Sequence, residues 1–222
     1  MSVKDLRFKK YRLIWNDDGG ELGCYPPPVG VDKLKKIIND RFKGTAVDAF
    51  FCALGPCTGY TTAYPTRLKD MDFIIDKYNS GARLGGIMNW QYAENLLDLM
   101  RQNVDWIEFQ MQEVRKLGMD FWLHLRMNDW HHSDDNMGEK INLLAGRFYV
   151  EHHDFLIGKE AVKDLSCKPL KDCMAWFQDY AHQEVRQHRL SVLEEAAERY
   201  DIDGFQYDFM RCPGYFKPGQ EQ

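Results

Sequence analysis

Ile202-Asp-Gly-Phe-Gln-Tyr-Asp-Phe-Met-Arg211 is the stretch on which the reading of this chain turns. Phe205, Tyr207 and Phe209 alternate with Gly204, Gln206 and Asp208. Successive side chains of a strand point to opposite faces, so one face here is apolar and the other small or polar. The segment therefore predicts a short strand that delivers a carboxylate, Asp208, and then a cation, Arg211, at its C-terminal edge. An Asp in that place either caps the following loop or belongs to a site. In a parallel barrel, ligands bind at the C-terminal ends of the strands.

Working back along the chain, Met119-Asp-Phe-Trp-Leu-His-Leu-Arg-Met-Asn-Asp129 has the same alternation. Phe121, Leu123, Leu125 and Met127 share one face, and Trp122, His124, Arg126 and Asn128 the other. Burying His124 and Arg126 is costly unless they are paired or hydrogen-bonded. Asp208 and Gln206 lie on the matching face of the neighbouring strand, so Arg126 and Asp208 are expected to pair. Tyr11 to Asn16 reads as the first strand, stopped by Asp17-Asp18-Gly19-Gly20. Ala46 to Leu54 reads as the second, nearly continuous in apolar residues as a strand covered on both faces should be.

Helices are expected between these strands. Val31 to Phe42 carries Leu34, Ile37 and Ile38 on an inner face. Ala93, Leu97, Met100, Val104, Ile107, Met111 and Val114 recur at helical spacing, which predicts one long amphipathic helix ended by Gly118. A short helix is expected near Arg67 to Tyr78, and a second long one from about Cys173 to Tyr200. Strands alternating with helical crossovers imply a parallel sheet in an α/β protein. The first strand is not followed by the Gly-x-Gly-x-x-Gly fingerprint of dinucleotide folds, and Asp17 and Asp18 stand where a phosphate needs donors.

Composition narrows the function classes. The 222 residues are 44% apolar and 14% aromatic, enough to bury one domain's core, and the whole of 1–222 is expected to be a single domain. Net charge is −5 with no basic block, which argues against a nucleic-acid partner. No run nears the roughly 18 apolar residues of a spanning helix, and the N-terminus has no signal-peptide pattern, so no membrane partner and a cytoplasmic protein are expected. Cys24, Cys52, Cys57, Cys167, Cys173 and Cys212 do not follow zinc-site spacings and read as reduced thiols. No cofactor and no metal are expected.

Three segments together carry a resemblance: Arg12-Leu-Ile-Trp-Asn-Asp-Asp-Gly-Gly20, Leu125-Arg-Met-Asn-Asp129 with His131 close behind, and Asp203-Gly-Phe-Gln-Tyr-Asp-Phe-Met-Arg211 with Pro213 and Phe216. They resemble the glycosyl-hydrolase-like TIM-barrel family, which includes family-10-like glycoside hydrolases. The resemblance implies a parallel (β/α) barrel and a carbohydrate substrate. It implies Asp208 as catalytic nucleophile or base. Asn16, Asp17, Arg126, Asn128, Trp130, His131 and Arg211 would bind sugar hydroxyls, wall the cleft or orient Asp208. Tyr60, Trp90, Trp130 and Tyr215 are candidate stacking surfaces, since the apolar face of a sugar packs on a flat ring, although ordinary core packing accounts for such rings more often.

A TIM barrel has eight strands and typically about 250 residues. Four strands here, with long loops at about 54–90 and 128–170, take up nearly the whole chain. The expectation is the first four strands, a half-barrel, that self-associates or lacks its second half. Glycoside hydrolysis commonly needs two carboxyl groups, and Asp129 is the only local partner for Asp208 that the sequence offers. Two other classes stay open. One is a non-catalytic carbohydrate-binding or structural half-barrel. The other is a metal-dependent barrel hydrolase or isomerase using residues such as His124, His131, His132, His152, His153, Asp129 and Asp154, although adjacent histidines in a loop do not readily face one ion.

Overall fold

The computed structural model describes residues 9–56, 59–131, 142–166, 173–209 and 214–219. Apolar alternation becomes strand at β1 (Leu13–Asp17), β2 (Val47–Ala53), β5 (Asp120–Arg126) and β6 (Gly204–Asp208). These form one sheet in the order β1-β2-β5-β6 with every pairing parallel. A two-stranded parallel pair, β3 (Thr61–Thr62) with β4 (Asp72–Phe73), lies within the long connection after β2. The helices are α1 (Val31–Phe42), α2 (Ile74–Asn79), α3 (Ile87–Arg101), α4 (Trp106–Lys116), α5 (Arg147–Glu151) and α6 (Gln183–Arg199). The protein is thus mixed α/β, built around a four-stranded parallel sheet.

The register sorts the residues into rows. Asp17, Cys52, Leu123 and Phe205 are neighbours across the four strands, on the face toward the helices. Phe121, Leu123 and Leu125 of β5 are fully buried there with Ile107 and Val114 of α4 and Val192 and Ala196 of α6. Each of these side chains larger than alanine contributes about 1.5–3 kcal/mol on burial. The opposite face carries the row Asn16, Phe51, Trp122, Gly204 and, one step up the strands, Ala53, His124, Gln206.

That second face is concave. Neighbouring strands lie about 4.8 Å apart, so a flat sheet would separate β1 from β6 by about 14 Å. Yet the Asn16 side chain on β1 donates to Gln206 on β6 at 3.1 Å. His124 on β5 reaches over β2 to the Asp17 carbonyl at 2.6 Å. Only a sheet curled toward this face lets those pairs meet. Its floor is aromatic: Phe51 stacks on Trp122 at 5.2 Å, and the Trp122 indole N–H donates to the Tyr11 hydroxyl at 3.1 Å. Tyr11 and Lys9 both bond Asp120, so residues 9–11 pass under the sheet and cover the floor.

Three expectations about helices are corrected. The apolar stripe from Ala93 to Val114 belongs to two helices. Asn103 takes a left-handed conformation with φ 57°, and the Asp105 carboxylate caps α4 by accepting from the N–H groups of Ile107 and Glu108. Asp105-Trp-Ile-Glu108 has the Asp-x-x-Glu spacing of a helix start, a signal that the unbroken apolar period masked. The Arg67 to Tyr78 region shortens to α2 preceded by β4. The last helix starts at Gln183, ten residues later than expected. Before it, turns bring the Asp179 carboxylate onto the Ala181 N–H at 3.0 Å. Gly118, with φ 79°, does end α4. Among the described residues Cys24, Cys52 and Cys173 are free thiols, and no helix is long and apolar enough to cross a membrane.

Candidate active site at the ends of the strands

Parallel pairing sets Arg126 directly beside Asp208, on the concave face and at the C-terminal end of both strands. The guanidinium is buried and serves three carboxylates. Its Nε donates to Asp208 Oδ2 at 3.3 Å, Nη1 donates to Asp129 Oδ2 at 3.0 Å, and Nη2 donates to Asp18 Oδ1. A buried cation is tolerated only with such partners. Desolvation would lower the pKa of Arg126, but Asp18, Asp129 and Asp208 overcome it and raise the value, so the site holds a permanent cation. Counted together, one guanidinium and three carboxylates leave the cluster acidic.

The three carboxylates are not equivalent. Asp129 is fully buried, and its Oδ1 accepts from the backbone N–H of His131 at 2.7 Å and from the His131 Nδ1 at 2.6 Å. Burial pushes its pKa up, but the His131 hydrogen bonds and the Arg126 charge outweigh that, and the carboxyl is held below its ordinary value. Asp208 is 9% exposed, and Asp18 is the most open of the three with 53% of its side chain exposed. Asp208, Asp18, Asn16, Arg126 and Gln206 line an open cavity of about 640 Å³, with Tyr207 and Phe209 at its edge. That volume lies in the range of small-molecule sites.

The other expected site residues fall in different places. Asn16 faces the cavity and bonds Gln206. Asp17 points to the opposite face and forms no part of the cavity wall. Desolvation on the helix side, reinforced by Glu21, pushes its carboxyl up to about 7. Asp18 takes the place expected for it. Carrying the alternation Ile14, Asn16 one residue beyond the strand would have pointed to Asp18.

Asn128 is buried with its amide fully used. It accepts from the Tyr60 hydroxyl and the Gln178 N–H, and donates to the Gln178 and Gly214 carbonyls at 3.0 and 2.9 Å. It clamps three loops together and offers no group to a ligand. Trp130, 44% exposed, stacks on His131 with ring centres 5.3 Å apart, beside the cluster. Arg211 and His132 lie outside the described residues.

Among the stacking candidates, Tyr60 is buried beneath the Arg189 guanidinium, 4.3 Å from its ring centre. Tyr215 meets Phe209 edge-on at 4.9 Å, and Trp90 lies half-buried on α3. His124, which sequence parity placed on this face, is buried with Nε2 on the Asp17 carbonyl, and burial lowers its pKa, so it is neutral. Among the described residues no three His, Cys, Asp or Glu side chains come together to hold a metal ion. No model of a known protein family matches the chain, and no curated protein matches its sequence.

Proposed function

We propose that the chain forms the first half of a TIM-type (β/α)8 barrel and serves as a glycoside hydrolase on a carbohydrate substrate. The observation that carries this reading is Asp208: a carboxylate at the C-terminal end of β6, the last strand of the parallel sheet, oriented by buried Arg126 and open to a cavity that Asn16, Asp18 and Gln206 also line. The curl of the sheet supports the barrel, and a closed barrel takes four further strands, from a longer polypeptide or from a second copy. In this reading Asp208 attacks the anomeric carbon or takes the proton of the attacking water. A second carboxyl group protonates the leaving oxygen. Asp18 suits that second part better than Asp129, whose oxygens are already engaged by Arg126 and His131. Asn16 and Gln206 present amides to sugar hydroxyls. A non-catalytic sugar-binding role is the second reading, favoured by the way Arg126 already holds all three carboxylates.

The test is turnover of nitrophenyl glycosides and reducing-end release from an oligosaccharide panel, for the wild type and Asp208→Asn. We expect wild-type hydrolysis and a drop of at least about a hundredfold in the variant, because an amide can neither attack nor take a proton. Undiminished turnover in Asp208→Asn overturns the assignment. Oligosaccharide binding without any hydrolysis selects the second reading.

A further inference from the structure

His188 on α6 begins a ladder of five rings. Its imidazole lies flat on Phe148 of α5, with ring centres 4.1 Å apart and planes 9° from parallel. Phe148 meets His152 at 4.8 Å, His152 stacks on Phe155 at 4.9 Å, and Phe155 meets His182 at 4.7 Å. The ladder joins the segment 147–155 to α6 and to His182 just before it. The Asp70 carbonyl accepts from two members of this joint, the Phe148 N–H and the His188 Nε2, each at 3.2 Å. A carbonyl only accepts, so the His188 proton is on Nε2 and its buried Nδ1 is bare and unpartnered.

The charged and titratable neighbours do not favour a second proton. On its own helix His188 is followed by Arg189, whose guanidinium is held by Gly59 and Gln178, and Glu184 lies one turn earlier. Lys69 and Asp70 come from the loop below, and His152 from the end of α5, around a cavity of about 520 Å³. Asp70 turns its carbonyl, not a carboxylate, to the ring. Burial, with Arg189 and then His152 adding to it, pushes the His188 pKa down to about 3.

The joint reaches the candidate site through contacts. Tyr149, next to Phe148, packs on Tyr60 with ring centres 5.3 Å apart. The Tyr60 hydroxyl donates to Asn128 Oδ1 at 3.1 Å and accepts from the Asp129 N–H at 3.4 Å. We propose that the His188–Phe148 stack is an acid-sensitive latch: protonation of His188 releases α5 from α6 and, through Tyr149 and Tyr60, loosens the backbone that carries Asn128 and Asp129. Only that last link rests on reading the strand ends as a site.

The closed latch binds fewer protons than the open one wherever the pH lies between the depressed value and the ordinary one. Closure is therefore strongest above about 6.5 and weakens as the pH falls, with the open-to-closed ratio rising about tenfold per pH unit down to about 3.

The experiment is amide hydrogen exchange of the full chain from pH 6 to pH 4, corrected for intrinsic exchange. In the wild type, protection of the Phe148, His152 and Asp129 amides should fall about tenfold per unit while Leu123 in β5 stays protected. His188→Gln keeps a neutral donor and His188→Phe keeps a flat ring, and in both the fall should vanish. Unchanged wild-type protection, or an equal fall in both variants, overturns the latch. A fall at Phe148 with none at Asp129 overturns the coupling to the site. Should neither variant fold, NMR titration of the wild-type His188 ring decides. A midpoint near 6.5 with Phe148 still protected overturns the latch, and a ring that titrates only as protection is lost supports it. Glycoside turnover enters none of these readouts, so the two proposals fail separately.

Discussion

Asn16 on β1 donates a hydrogen bond to Gln206 on β6 at 3.1 Å, joining the first and last strands of a four-stranded sheet across its concave face. The bond bridges a gap that the curl of the sheet has closed. It also places two amides beside Asp208 and Asp18 over the same cavity. The bond is exposed, so its own worth is modest. A double-mutant cycle of Asn16→Ala and Gln206→Ala should give a coupling of about 0.5–1 kcal/mol, from urea denaturation of the four proteins. A coupling indistinguishable from zero would mean that the curl is held by the floor and the helices alone.

Arg126→Met should be among the most damaging single changes. It strands three carboxylates, two of them buried, and should cost about 3–5 kcal/mol, the range for breaking a buried ion pair. Asp208→Asn leaves Arg126 with Asp18 and Asp129, so its melting temperature should fall much less than that of Arg126→Met. Equal losses in the two variants would make Asp208 chiefly a structural partner of Arg126.

Asp17 sets a pH dependence of definite sign. Its folded pKa, about 7, lies above its ordinary value of 3.8, so the folded state binds the extra proton between those limits. The protonated carboxyl is fully compatible with the fold below pH 3.8, and stability is lost as the pH rises through 7. Asp17→Asn removes the titration and can still accept from the Gly19 N–H. The variant should match the wild type near pH 4 and exceed it by roughly 1–3 kcal/mol at pH 8, allowing for partial solvent screening. Urea midpoints at the two pH values measure this, and a variant less stable at pH 8 contradicts it.

Gly204→Ala should destabilise through contact with Trp122. A Cβ at Gly204 would lie 2.5 Å from the indole ring. That ring cannot easily retreat, since it stacks on Phe51 and bonds Tyr11. Overpacking of this kind costs about 1–3 kcal/mol. Thermal melting reads the loss, and the double variant with Trp122→Leu should recover much of it.

The outer edges of β1 and β6 carry exposed Leu13, Ile14, Trp15, Tyr207 and Phe209. Such edges favour pairing with another sheet. Light scattering should show association that grows with protein concentration, and the melting temperature should rise with it. A monomer whose melting point ignores concentration would show the edges to be covered.

Much of the architecture was readable in the residues themselves, because side-chain period follows directly from backbone geometry. Alternation located β5 and β6, a continuous apolar run located β2 and a turn signal closed β1; parity then put Leu123 and Leu125 toward the helices and, with β5 and β6 as neighbours, Arg126 and Asp208 on one face. Apolar period by itself did not show where the helix breaks, although Asp105-Trp-Ile-Glu108 has the spacing of a helix start. The stripe from Ala93 to Val114 keeps its spacing through the turn at Asn103, and capping by Asp105 depends on the backbone geometry there.

The candidate site divides in the same way. That a carboxylate ends β6 and a cation ends β5 is a property of strand parity, and the sequence by itself determined it. Which other groups join them was decided by tertiary structure. Curling of the sheet brought Asp18 onto Arg126, while parity along β1 had already turned Asp17 to the helix side. Loop packing then spent the amide of Asn128 on Tyr60, Gln178 and Gly214. The physical reason is distance along the chain. Parity acts between adjacent residues, whereas Asp18 and Arg126 are separated by 108 positions and meet only once the sheet has closed around them.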